Sequence, residues 1–90
     1  MHLQGRYELD PMVSLRPEPF GALAYHFGTR RLSFLRHPDM VAVVRSLADH
    51  STVESALRAC EVAEQRWPSF THALDALERS SMIHEVRDVA

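Results

Sequence analysis

Residues 20–35, FGALAYHFGTRRLSFL, decide the fold: two stretches with an apolar period of two flank a short turn. In the first, Leu23, Tyr25 and Phe27 alternate with Ala22, Ala24 and His26, giving a strand one large apolar face and one small one. Tyr25, Phe27 and Phe34 are expected to look inward as core. The segment GTR at 28–30 turns the chain, with Gly28 free to take a positive φ. Leu32 and Phe34 then alternate with Arg31 and Ser33 in a return strand that Pro38 ends.

Upstream, residues 1–10 mix Gly, Gln and charges without a period and read as a mobile lead-in. Residues 12–15, MVSL, suit a short strand, closed by RPEP, where Pro17 and Pro19 forbid regular structure. Downstream the period becomes helical. Met40, Val43, Val44 and Leu47 fall at i, i+3, i+4 and i+7, with Pro38 and Asp39 in the first turn. Ser51 and Glu54 have the spacing of a capping box, ahead of Val53, Ala56, Leu57 and Cys60 on one face. Trp67, Phe70, Leu74 and Leu77 form the stripe of a third helix, and SSMIHEV offers a short terminal strand. The expected fold is α+β, a winged-helix-like domain over residues 11–86. Its N-terminal three-stranded antiparallel sheet is followed by three α-helices, and residues 87–90 form a tail.

Ninety residues are enough for one modest core, and 46% hydrophobic with 24% charged residues is ordinary globular composition. One cysteine, Cys60, excludes an internal disulfide and a cysteine metal cage. With no apolar run of membrane length and no signal-like amino terminus, the expected compartment is the cytoplasm. A net charge of −2 argues against sequence-independent nucleic-acid binding. All ten basic residues are arginine. Codon bias accounts for that, and so does a preference for guanidinium forks in carboxylate recognition.

No enzyme signature stands out. Six histidines occur, but no two lie at i, i+3 or i+4 on one helix, so packed or solvated imidazoles are favoured over a metal site. Cys60 sits on an apolar stripe, as a structural thiol does. Three glycines are too few for a phosphate-cradling loop. A winged-helix regulator is the rival reading. Asp75 and Glu78 on the exposed face of the third helix would repel phosphates. The hairpin is more informative: its RRLSFL strand can lie at a sheet edge with unpaired N–H and C=O groups, open to strand addition or to a second copy of the chain. Arg30 and Arg31 at its mouth either blunt that edge or select an acidic partner.

LRPEPFGALAYHFGTRRLSFL, followed by VVRSLADH and SALRA, resembles the peptide chaperones of mycofactocin biosynthesis, within the PqqD-like recognition elements of ribosomally made, modified peptides. The likeness covers residues 13–83. It implies a three-stranded sheet with three helices and binding without catalysis. The leader of a precursor peptide would add as a strand in the cleft between the third strand and third helix, for presentation to a radical S-adenosylmethionine maturase. Iron–sulfur clusters and S-adenosylmethionine would belong to that partner, leaving this chain without a cofactor. Carried onto this sequence, the peptide-binding residues are Arg31, Leu32, Ser33, Phe34 and Leu35 of the strand, with Arg30 beside them. His72, Asp75, Ala76 and Arg79 join them from the third helix.

Overall fold

The computed structural model describes residues 1–86; the tail expected at 87–90 lies outside them. Eight regular elements follow in order: β1 (Tyr7–Leu9), β2 (Val13–Glu18), β3 (Gly21–His26), β4 (Leu32–Leu35), α1 (Pro38–Ser46), α2 (Val53–Ala59), α3 (Trp67–Arg79) and β5 (Ile83–Glu85). The class is α+β, with an antiparallel sheet in the order β2-β3-β4 and three helices, as the alternation and the helical stripes require. A second antiparallel ladder joins β1 to β5, with Tyr7 opposite Glu85 and Leu9 opposite Ile83.

The helices supply most of the core volume. Met40, Val43 and Val44 of α1, Val53, Ala56 and Leu57 of α2, and Phe70, Leu74 and Leu77 of α3 are all buried. Both α2 and α3 end in a Schellman motif. The N–H of Val62 donates to the carbonyl of Leu57, and that of Met82 to the carbonyl of Leu77. Glu61 and Ser81 hold the left-handed positions at φ 59° and 64°, and the buried Val62 and Met82 close each cap with an apolar contact.

The sheet packs with the opposite face to the one expected. Ala22 and Ala24 are 0% and 1% exposed and His26 is buried, while Phe27 and Phe34 are 58% and 57% exposed and Tyr25 and Leu23 are only half-buried. Alternation divides a strand into two faces without saying which is inside. Here the helices fill the core, so the inner strand face needs small side chains that let α1 lie close against β3. Tyr25, Phe27 and Phe34 therefore stand outside the core.

Three local expectations are also corrected. Pro17 and Pro19 do not end β2 at Leu15: the strand runs through Pro17 to Glu18. Pro17 stands opposite Ala22 at a position whose N–H would point away from β3, so the ladder loses no donor there. The left-handed residue of the β3–β4 turn is Arg30, at φ 61°, rather than Gly28. The buried His26 organises that turn, its Nδ1 accepting from the N–H groups of Gly28 and Thr29, both at 3.0 Å. Finally, the N-cap of α2 is Thr52, whose hydroxyl accepts from the Ser55 N–H at 3.0 Å, rather than Ser51.

Residues 1–10, read from sequence as a lead-in without structure, contain β1. The carbonyls of Leu3 and Gly5 accept from the N–H groups of Glu54 and Val53, satisfying orphan donors in the first turn of α2. Tyr7 is almost fully buried, its hydroxyl accepting from the His2 N–H. Three residues are too short for a period to show, which hides this strand in the sequence.

Candidate functional site

The two borders of the main sheet differ. On β2 the outward-facing positions are Val13, Leu15 and Pro17. The Val13 N–H is taken by the carbonyl of Asp10 at 2.9 Å, and Pro17 has none to offer. That edge is blunted.

On β4 the phase of the ladder decides what the edge offers. The His26 N–H donates to the Arg31 carbonyl at 3.0 Å, so hydrogen-bonded pairs fall at Ala24–Ser33 and Ala22–Leu35. Leu32 and Phe34 occupy the alternate positions, opposite Tyr25 and Leu23. Their N–H and C=O groups therefore point away from β3, and among the described residues no strand pairs with that edge. Gly21 makes the close approach at the other end of the ladder. It takes φ 147°, and a Cβ there would collide with the carbonyl oxygen of Leu35.

A cleft of about 430 Å³ runs beside this edge, between β4 and α3. Ser33, Phe34, Leu35, Arg36 and His37 line one wall, with Met40 of α1 behind them. Ser69, Phe70, Ala73, Ala76 and Leu77 of α3 form the other. Ser69, Ala73 and Ala76 recur at i, i+4 and i+7, so a row of small side chains keeps the helix wall low. Phe70 and Leu77 make the floor apolar. The Arg36 guanidinium lies over the Phe34 ring at 5.8 Å, and that of Arg66 over Phe70 at 5.1 Å, with Arg66 also 3.0 Å from Asp39. The cleft is apolar within and basic at its Arg36 end.

Of the ten residues expected at the site, Ser33, Phe34, Leu35 and Ala76 line this cleft. Leu32 lies on the same edge with its side chain on the outer face of the sheet. Arg30 and Arg31 sit exposed at the hairpin end. His72, Asp75 and Arg79 lie one helical position away from the cleft-lining row. Asp75 instead pairs with the Met1 amine at 3.2 Å and with Arg79 at 3.1 Å. The hydrogen bond from that amine, helped by Arg79, holds the Asp75 carboxyl below its usual range.

Sequence reading did not assign Arg36, His37, Met40, Ser69, Phe70, Ala73 and Leu77 to the site, taking Met40, Phe70 and Leu77 as core stripe residues. The row of small residues on α3 was the signal for its cleft-facing side. Among the described residues no group of three histidine, cysteine or carboxylate side chains is placed to hold a metal ion. Cys60 is half-buried at the end of α2, its Sγ 3.6 Å from the Ser46 hydroxyl. No described helix is long and apolar enough to cross a membrane.

Comparison with known proteins identifies the family of the chain. Residues 6–84, from just before β1 into β5, match the model of the Peptide chaperone MftB family. A peptide chaperone MftB of Mycobacterium ulcerans is 53% identical over 77 residues, covering 86% of this chain and 71% of the relative. The Mycolicibacterium smegmatis and Mycobacterium tuberculosis proteins of the same name are 52% and 48% identical over 77 residues, again 86% of this chain, and cover 76% and 71% of their own lengths. No solved structure gave a significant match, so the winged-helix likeness rests on the order of elements alone. These relatives are named as chaperones, not as enzymes, and the chain belongs to the Peptide chaperone MftB family.

Proposed function

We propose that this protein is a peptide-binding chaperone of mycofactocin biosynthesis, acting in the cytoplasm. It holds the leader of the precursor peptide as a fourth strand on β4 and presents the peptide to a radical S-adenosylmethionine maturase. The observation that carries this reading is an open strand edge alongside an apolar cleft, in a chain whose other edge is blunted. The N–H and C=O groups of Leu32 and Phe34 offer four backbone bonds, at ~0.5–1.5 kcal/mol each about 2–6 kcal/mol in all. Ordering a disordered peptide costs about 2–5 kcal/mol. The backbone therefore sets register and direction but gives little net affinity. Affinity comes from alternate side chains of the added strand entering the cleft against Phe70, Ala73 and Leu77. Arg36 at the cleft end favours an acidic segment.

Titration of the leader peptide into the parent protein and an Ala76→Trp variant tests this. Ala76 is exposed on the cleft wall, so the larger side chain fills the cleft without entering the core. Saturable binding by the parent and at least a tenfold loss in the variant are expected. Equal binding by both proteins, or duplex DNA binding tightly where the leader does not, would contradict the proposal.

A further inference from the structure

The outer face of the β2-β3-β4 sheet, the side away from the helices, has no role in holding a peptide, yet it is unusually apolar. Phe20 packs on Phe34 with ring centroids 5.9 Å apart, and Tyr25 meets Phe27 edge-on at 4.9 Å. Leu23 lies between them opposite Phe34, and Leu32 stands opposite Tyr25. The patch is therefore continuous across β3 and β4. Met12, Phe20, Phe27, Leu32 and Phe34 are each between 41% and 58% exposed. At ~200 Å² per large side chain they offer on the order of 500 Å² of apolar surface. A standard protein interface takes about 800 Å² from each partner, a little over half of it apolar. This face alone supplies the apolar share.

Its border is almost entirely cationic. Between Val13 and Arg36 the chain carries Arg16, Arg30, Arg31 and Arg36 but a single carboxylate, Glu18, which already lies 3.3 Å from Arg16. A second copy of the chain seated symmetrically here would bring arginines against arginines, which disfavours it. The complementary surface has an apolar centre and a rim of carboxylates. The face also continues onto the open edge, because the side chains of Leu32 and Phe34 belong to it while their backbones face the strand to be added. An added strand would show every second side chain on this outer face, beside Phe34.

We infer that this outer face is the docking surface for the enzyme that modifies the peptide, which meets it with an apolar patch rimmed by carboxylates. The inference rests on the added-strand reading of β4 and assigns the partner to the side of the sheet opposite α3. The bound peptide is then held between helix and enzyme, with its outward side chains turned toward the enzyme.

The test separates the two surfaces. Leu23→Thr, Tyr25→Thr and Phe27→Ser together remove the centre of the patch, keep good strand formers within β3 and replace none of the cleft-lining residues. The probe is the radical S-adenosylmethionine maturase, measured with and without leader peptide. The triple variant is expected to bind leader within twofold of the parent and to lose at least tenfold in affinity for the maturase. Phe27→Glu alone, at an exposed turn position, is expected to lose severalfold and serves if the triple variant does not fold. Unchanged maturase affinity in the folded variants would overturn the inference. So would sedimentation showing a micromolar self-association of the parent that the substitutions abolish, since a second copy would then occupy the face. Failure of the parent to bind leader would count against the added-strand reading instead, and the affinity of the maturase for the protein alone would still decide the docking surface.

Discussion

Ser33 stands opposite Ala24 in the β3–β4 ladder, at a hydrogen-bonded position, which turns the neighbouring N–H of Phe34 outward to the open edge. Two adjacent residues of one strand thus have opposite duties: Ser33 ties β4 to the sheet, and Phe34 is available to a visitor.

Proline scanning separates those duties. Phe34→Pro removes an outward donor and leaves the ladder intact, so we expect it to weaken leader binding about fivefold to tenfold with little loss of stability. Phe34→Thr keeps the N–H and controls for the lost ring. Ser33→Pro deletes a bond between β4 and β3, and its main effect should be a lower urea midpoint. Leader affinity beside chemical denaturation for the three variants checks this.

Charge at the cleft is expected to act through Arg36 more than through the hairpin arginines. Arg36→Glu should lower the affinity for an acidic leader about tenfold at low salt. The Arg30→Glu, Arg31→Glu double variant should chiefly slow association and flatten its salt dependence. Stopped-flow binding at two ionic strengths distinguishes these effects, and equal slopes for all proteins would refute the assignment.

Two features of the hairpin carry stability predictions. In His26→Leu, the Gly28 and Thr29 N–H groups lose their acceptor, at an expected cost of about 1–3 kcal/mol. Gly21→Ala places a Cβ against the Leu35 carbonyl at a positive φ, so β4 must move from β3. A loss of at least ~2 kcal/mol is expected, with weaker leader binding because the edge itself is displaced. Urea unfolding of both variants tests these values.

The amino terminus sets a pH dependence. The Met1 amine lies 3.1 Å from Glu78 and 3.2 Å from Asp75, and its hydrogen bonds to Glu78 and then Asp75 raise its pKa above the ordinary value. The same contact lowers that of Asp75. A raised amine contributes fully below its unfolded pKa and loses that contribution as pH rises through the folded one. A lowered carboxyl contributes above its unfolded pKa and loses it as pH falls through the folded one. The contact therefore stabilises the 90-residue chain between about pH 4 and pH 8 and fades beyond both limits. Amine acetylation should lower Tm at pH 7, and the difference from the free amine should shrink by pH 10.

The order of the main sheet and the three helices was legible in the sequence because each long helix carries a clean apolar stripe and the hairpin a clean alternation, whereas β1 is too short to show a period. The inner face of the sheet was not legible. Ala22 and Ala24 look unimportant beside Leu23 and Tyr25 until α1 is seen to need a low surface to lie against. For the site, the RRLSFL strand followed from the edge-strand argument, and Ser33, Phe34 and Leu35 within it from the family resemblance. Of the helix residues that the family resemblance suggested, Ala76 lines the cleft, while His72, Asp75 and Arg79 stand one position out and Ser69 and Ala73 were passed over, because charged and exposed positions draw attention where a groove is made by small ones. Arg36 and His37 lie just beyond the last strand residue, where strand periodicity no longer speaks.

Backbone amide exchange followed by NMR, with and without leader peptide, addresses the added strand most directly. Slowing at the amides of Leu32 and Phe34 is predicted, with those of Ser33 and Leu35 little changed because β3 already protects them. Saturable leader binding that leaves the Leu32 and Phe34 amides exchanging as freely as before would contradict the account.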